Sequence, residues 1–383
     1  MPGPLTDLVV LDLTRALAGP HCAQMLGDLG ARVIKVETPS GGDDSRSWGP
    51  PFVGPDEDIS TYYLSCNRNK ESVTADLKTD SGKKLLTRLI ERADVLIENF
   101  RTGVMDRLGF GVDRMAEINP RLVVLSITGF GHDGPQGGRP GYDQIAQGEG
   151  GIMSITGTDA DHPQRVGVPI ADLLAGMYGA YGILAALHER DRTGKGGVVR
   201  TSLLAAVVGV HAFQGTRYTV AGEVATAQGN HHPAITPYGA FHTADGTIQL
   251  SVGSQALWRK FAELIRLDPD DPRFATNSDR TARRDELIAL IEGVFAEDTS
   301  ESLLAQLEGI GVPAGAIRTL QQVYDWDQTA SQGLLVDVEH PVLGSITLPG
   351  PPLRFEGSEA VVHRPPPALG EHNDSVRAWL DGG

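Results

Sequence analysis

Short apolar runs rich in β-branched residues recur along the first half of the chain, each bounded by glycine, proline or charge. Leu8–Thr14 and Arg32–Glu37 read as buried strands. Between them Gly19-Pro20 opens a helix over Cys22–Leu29, which Gly30 closes. A strand, a helix and a strand within some thirty residues form a βαβ unit, and such units build parallel sheets. The pattern repeats in a helix over Ser81–Ala93 and strands at Val95–Glu98 and Leu122–Ile127. A long helix follows over Asp172–Arg190, with Leu173, Met177, Tyr181, Leu184 and Leu187 on or near one face. Gly176, Gly179 and Gly182 weaken that helix by about 1 kcal/mol each relative to alanine. Their three-residue spacing points to a backbone packed closely against them. The first two hundred residues therefore describe a doubly wound α/β domain.

After Val220 the pattern changes. Tyr238–Ser251 reads as two strands around the tight turn Asp245-Gly246. Three helices follow, near 255–266, 281–295 and 300–309, which together make a smaller α+β domain. Strand and proline-rich loop run from 334 to 368, before a short helix over Asp374–Leu380.

Composition narrows the function. Lys and Arg number 33 against 49 Asp and Glu, a net charge of −16 that argues against a nucleic-acid partner. Two cysteines support neither a disulfide framework nor a structural zinc. The start carries no basic, apolar leader, and the longest apolar stretch, Leu203–Val210, is far short of the ~20 residues of a membrane helix. The expectation is a cytoplasmic enzyme without a membrane partner.

Gly129, Gly131 and Gly134 match the spacing of a dinucleotide-binding loop, but the residues after them, Pro135 to Pro140, do not open the helix that such a site needs. The segment reads as a loop, against an NAD(P)-dependent oxidoreductase. His231 and His232 are adjacent, so on a strand they would point to opposite sides, poor geometry for one metal. Glu98, Asp143 and Asp172 are carboxylates beside apolar runs, where an acid, base or nucleophile belongs. From spacing alone Asp172 reads as the N-cap of the long helix. A carboxylate there would also be held ionised beside N–H donors able to stabilise an oxyanion. Basic residues gather at Asn67-Arg68-Asn69-Lys70 and at Asn99-Phe100-Arg101 with Arg107. The second group follows a parallel strand, where open sheets bind ligands, and suits a phosphorylated one.

Taken in order, Leu11–Pro20, Gly27–Glu37, Asp94–Phe100, Asp106–Phe110, Ile183–Arg190, Arg192–Gly196, Gly311–Gly315 and Leu369–His372 resemble the family III CoA-transferases nearly end to end. That group includes formyl-CoA and carnitine CoA-transferases, with α-methylacyl-CoA racemase as a relative. The resemblance implies a Rossmann-like large domain from both chain ends (1–200 and 334–383) and an inserted small domain (226–320), joined by linkers 201–225 and 321–333. It also implies an interlocked homodimer.

In the family a catalytic Asp opens the helix after a Gly/Pro loop; here that is Asp172, which overturns the reading as a mere cap. It would carry the acyl group as a mixed anhydride and then CoA as a thioester. With an ordinary carboxyl pKa of about 3.9 it needs no general base. CoA or acyl-CoA is substrate, and no cofactor stays bound. Ala75, Asp76, Leu77 and Lys78 match the family's adenosine segment; Asn99, Phe100, Arg101 and Arg107 match its phosphate and pantetheine region; Leu17 and Ala18 match its thioester site. Formyl-CoA transferase has Gln where Leu17 stands and Arg where Thr38 stands, so Arg46 is the replacement candidate for one phosphate contact. Gly253-Ser254-Gln255 falls where that enzyme has a mobile loop with four glycines, so equivalent motion is not expected. The racemase takes its α-proton with a His and a Glu; here Tyr142 and Ala256 stand in those places. A tyrosine, ordinarily titrating at about 10, is a poor base. Transfer is thus favoured over 2-methylacyl-CoA epimerisation, and the presence of Asp172 argues against a CoA-binding protein without turnover.

Overall fold

In the computed structural model, which describes residues 3–356 and 361–382, the chain divides into two compact units. The larger is Met1–Ile152, Arg165–Gly222 and Gln328–Gly383; the smaller is Met153–Gln164 and Glu223–Asp327. Residues 153–164, which the sequence reading assigns to the large domain, fold back through Gln164 N–H to Thr156 O (2.7 Å) and pair with 227–229, as in Gly229 N–H to Gly157 O at 2.9 Å.

The larger unit is built on six parallel strands, β1 (Val9–Asp12), β2 (Arg32–Glu37), β3 (Lys70–Thr74), β4 (Val95–Glu98), β5 (Val123–Thr128) and β6 (Gly197–Ser202), in the order β3-β2-β1-β4-β5-β6. This is the Rossmann order, in which the chain reverses direction across the sheet between β1 and β4. Alternate residues feed two cores. Val10, Val33, Val95 and Leu125 pack under α1 (Ala18–Asp28) and, with α3 (Asp143–Glu149) alongside, α4 (Ile170–Thr193). Leu11, Ile34, Leu96 and Val124 pack under α2 (Asp80–Arg92) and the C-terminal helix Asn373–Asp381.

Helix α4 has the length and apolar composition of a membrane span, with mean hydropathy 1.5 over its most apolar window. Its small-residue face, however, is packed on protein. A Cβ at Gly176 would lie 2.6 Å from the Ala18 carbonyl oxygen, and one at Gly179 or Gly182 would lie 2.6 Å from Leu125 or Val199. The three glycines therefore let α4 sit against α1 and the sheet, as their spacing predicts. Met177, Tyr178, Tyr181 and Leu184 lie exposed on α4.

A paired substitution tests this. Gly176→Ala gains about 1 kcal/mol of helix propensity, yet must move backbone, and overpacking costs about 1–3 kcal/mol; its melting temperature is expected to fall. Gly293, exposed in the helix Arg284–Phe295, has no atom within 4 Å of an added Cβ. Gly293→Ala is expected to raise the melting temperature, because propensity acts there alone. Calorimetric melts of the two variants should move in opposite directions.

The smaller unit has a three-stranded antiparallel sheet, with Tyr238–His242 and Thr247–Ser251 paired around the expected Asp245-Gly246 turn and Ala314–Ala316 at the edge. Its helices Gln255–Leu264, Arg284–Phe295 and Ser300–Gly309 pack over Phe241, Trp258, Phe261 and Phe295. Ser254 caps the first of them, and His232 stacks on Tyr238 at 5.1 Å.

Candidate active site

Where the order reverses, the loops leaving β1 and β4 part and a cleft of about 250 Å³ opens between them. Asn99 ties the loops together: its Oδ1 accepts from Arg15 N–H (3.0 Å) and its Nδ2 donates to Arg15 O (2.8 Å). Ala16 takes a left-handed φ of 67°, which turns Leu17 and Ala18 into the cleft wall. The amides of Leu17, Ala18 and Gly19 donate to none of the described residues. Gly129 and Gly141 cross on the far side, where a Cβ on Gly129 would lie 2.6 Å from the Gly141 nitrogen.

Behind the β1 loop lies a fully buried ion network. Lys70 Nζ donates to Asp12 Oδ2 (2.8 Å), Pro20 O (2.8 Å) and Asn67 Oδ1 (2.9 Å). Lys35 Nζ pairs with Asp43 (2.8 Å) and donates to Thr14 O (2.8 Å), while Asp43 Oδ1 accepts from Ala16 N–H at 3.0 Å. Burial alone would raise the Asp12 carboxyl, but Lys35 and Lys70 hold it down at about 2. The basic loop 67–70 is part of this interior: Asn67, Arg68, Asn69 and Lys70 are all buried, and Arg68 is spent on Asp28 and Pro349 O. Arg46, the replacement candidate for the arginine missing at Thr38, is paired with Glu37 (2.7 Å) and donates to the Tyr63 hydroxyl (2.6 Å).

The three candidate carboxylates separate into distinct roles. Glu98 accepts from Ser126 Oγ and from Phe100 N–H (2.9 Å), which orients the loop after β4. Asp143 Oδ1 accepts from Ala171 N–H at 2.8 Å and, at 3.4 Å, from Asp172 N–H. The helix begins at Ile170, so Asp172 lies in its first turn and is not its N-cap. Asp172 faces the cleft, and its oxygens accept no hydrogen bond from the described residues. Burial, then the Asp143 charge, push its carboxyl from 3.8 up to about 7. The expectation of a carboxylate fully ionised at neutral pH is therefore corrected: desolvation and a like charge outweigh the helix dipole.

Of the residues singled out by sequence, Leu17, Ala18, Asn99, Phe100, Arg101, Tyr142 and Asp172 line this one cleft. Tyr142 stands largely exposed on its wall. Ala75, Asp76, Leu77 and Lys78 follow β3 on the same edge of the sheet but do not line the cleft. Arg107 is exposed on the short helix Val104–Leu108. Arg15 and Trp48 also line the cleft and were missed, because no spacing rule marks them.

The family model described as CoA-transferase family III matches residues 5–373. Human succinyl-CoA:glutarate CoA-transferase is 39% identical over 97% of this chain and 85% of its own. Succinate--glutarate CoA-transferase of Agrobacterium fabrum is 40% identical over 99% of this chain and 96% of its own. A CAIB/BAIF family protein from Brucella suis has a solved structure that superposes with a TM-score of 0.89 at 41% identity, covering 100% of both chains.

Proposed function

The chain belongs to CoA-transferase family III, and on that footing we propose the course of its reaction. The enzyme moves CoA between an acyl-CoA and a carboxylic acid. Asp172 attacks the thioester carbonyl and expels CoA thiolate, leaving a mixed anhydride. The thiolate attacks the aspartyl carbonyl and releases the first acid, leaving an aspartyl-CoA thioester. An acceptor carboxylate then runs both steps in reverse, so every atom balances without a metal or redox cofactor. The amides of Leu17, Ala18 and Gly19, with no acceptor among the described residues, stabilise the oxyanion of each tetrahedral intermediate.

One observation carries this reading: Asp172 lines the cleft with neither a hydrogen bond nor an ion pair to its carboxylate among the described residues, because Asp143 has taken over the capping, whereas Asp44 on the same cleft faces Arg15 at 3.8 Å. CoA runs along the carboxyl edge of the sheet, with its adenosine near Ala75–Lys78 and its phosphates near Arg101 and Arg107. The acids are short dicarboxylates, as the names of both relatives suggest. Arg15, whose ion partner among the described residues is Asp44 at 3.8 Å, offers a cation for the second carboxylate. The exposed apolar side chains of α4 are the surface that a second copy covers in an interlocked homodimer.

The test is a mass-spectrometric assay in D₂O with a panel of acyl-CoAs and carboxylates. New CoA esters without α-deuterium are expected, with succinyl-CoA and glutarate among the productive pairs. Deuterium at the α-carbon with no new ester would overturn the reading in favour of an epimerase.

A further inference from the structure

Asp143 and Asp172 come from different helices, and their hydrogen bonds differ sharply. Asp143 belongs to the first turn of α3, whose N-cap, Tyr142, supplies no side-chain cap. It does not cap its own helix but reaches to α4, where Pro169 likewise supplies no side-chain cap. Its Oδ1 takes Ala171 N–H at 2.8 Å and Asp172 N–H at 3.4 Å, and its Oδ2 takes Gln147 Nε2 at 2.7 Å. Gln147 is itself fixed, because its Oε1 accepts from Val166 N–H at 2.9 Å. Three N–H donors thus aim at one carboxylate and, among the described residues, none at the other. In a water-poor cleft that asymmetry leaves Asp172 as the carboxyl whose protonation burial and the neighbouring Asp143 charge favour.

We infer that Asp143 is a positioning residue for the nucleophile: it caps α4 from the neighbouring helix and lays a fixed negative charge against the Asp172 carboxyl. The inference rests on Asp172 being the nucleophile and explains why that residue is uncommitted. A cap supplied from outside leaves its side chain free to turn into the cleft. The neighbouring charge makes it a more basic, stronger nucleophile, at the cost of ionising later as pH rises. Other groups face the same space. Tyr62, from the short helix Thr61–Ser65, has its hydroxyl raised by burial and by Asp172. His21 of α1, whose ring lies beside Gly176, is held neutral by burial and by Lys70 and Arg68, down at about 4. Arg15, Arg101, Arg139 and Asp44 line the cleft. Of these groups it is Asp143 whose charge acts on Asp172.

The experiment titrates Asp172 directly in the apo enzyme, by NMR of protein labelled with ¹³C-carboxyl aspartate. The resonance is assigned by its loss in Asp172→Asn. The wild-type midpoint is expected near 7. In Asp143→Asn, which keeps a capping oxygen but loses the charge, the midpoint falls by about one pH unit or more. The acid limb of kcat/KM for acyl-CoA falls with it, and KM changes little. Asp143→Ser, neutral and still able to cap, is the companion in case the introduced amide opposes Gln147 and the first variant does not fold. Asp143→Ala, with no cap, lowers kcat at every pH by about 10²-fold through misplacement of the carboxylate. An Asp172 midpoint that stays near 7 in the neutral variants overturns the inference, as does Asp143→Ala behaving like Asp143→Asn. A midpoint that falls while no variant makes CoA ester upholds the coupling and overturns the transferase mechanism instead.

Discussion

Asp172→Asn is expected to fold and to lose CoA transfer by about 10⁴-fold or more, since no other group in the cleft can hold the acyl unit and CoA in turn. Glu98 is hydrogen-bonded to Ser126 and to Phe100 N–H, Asp143 is occupied by α4, and Asp44 on the cleft wall faces Arg15 at 3.8 Å, so none of them substitutes. Initial-rate assays read the loss. Mass spectrometry of wild type quenched with acyl-CoA should show a CoA adduct on the peptide holding Asp172, absent from the variant. A second readout follows from linkage. The Asp172 carboxyl stands at about 7 against an ordinary 3.8, so the folded state holds its proton more tightly than the unfolded chain. Its contribution is fully present below about pH 4 and is lost as pH rises toward 7, a loss of about 2 kcal/mol once cleft water is allowed for. The wild-type melting temperature should fall between pH 5 and pH 8, and the Asn variant should fall less. An active Asp172→Asn protein would remove the mechanism. An inactive one with an unchanged pH–stability curve would keep the nucleophile but remove the burial argument.

Sequence revealed the sheet more readily than the site. Arg32–Glu37 and Val95–Glu98 fold over the bounds their pattern predicts, because short runs rich in β-branched apolar residues and bounded by charge or turn residues suit buried strands, even with Lys35 inside the first. The α4 helix begins earlier than its pattern shows, since its cap comes from Asp143, 28 residues away from Ala171 in the chain. Distance along the chain hides the other misreadings too. Arg68 and Lys70 read only as a local gathering of basic residues because their partners Asp28 and Asp12 lie 40 and 58 residues back. Spacing alone makes Asp172 a cap, and only the family resemblance makes it a nucleophile. Its late ionisation is legible in neither, because it depends on how burial and a second carboxylate combine in three dimensions. Arg15 lies inside a stretch that carries the resemblance, yet nothing in a single sequence separates a cleft-lining arginine from a solvated one.

Lys70→Met is expected to destabilise the larger unit by about 3–5 kcal/mol, because breaking a buried pair leaves the remaining charge uncompensated. All three ammonium protons are engaged, by Asp12, Pro20 and Asn67, and the Lys70 and Asp12 side chains are both fully buried. The residual partner, Lys35, is 3.7 Å from Asp12 and already bound to Asp43 at 2.8 Å. Against a typical stability of about 5–15 kcal/mol this is a large fraction, and the calorimetric melt at pH 7 should fall by roughly 10 °C. The acid side gives the sign independently. Asp12 held at about 2 stabilises the fold above about pH 4 and ceases to as pH falls toward 2. Without Lys70 the Asp12 carboxyl is expected to take up its proton at higher pH, so acid unfolding begins earlier. Asp12→Asn combined with Lys70→Met should recover part of the loss, because the charge stranded on Asp12 is removed, while Lys35 and Asp43 stay paired at 2.8 Å and Pro20 O and Asn67 Oδ1 are left without their donor. The same variants should reach the active site, because Asp12 accepts from Thr14 N–H at 2.9 Å and Lys35 donates to Thr14 O, which anchors the loop that carries Arg15, Leu17 and Ala18. A double variant that regains stability yet transfers CoA more slowly would show that the network holds the cleft wall in place as well as the sheet. Equal recovery of both would confine its role to folding.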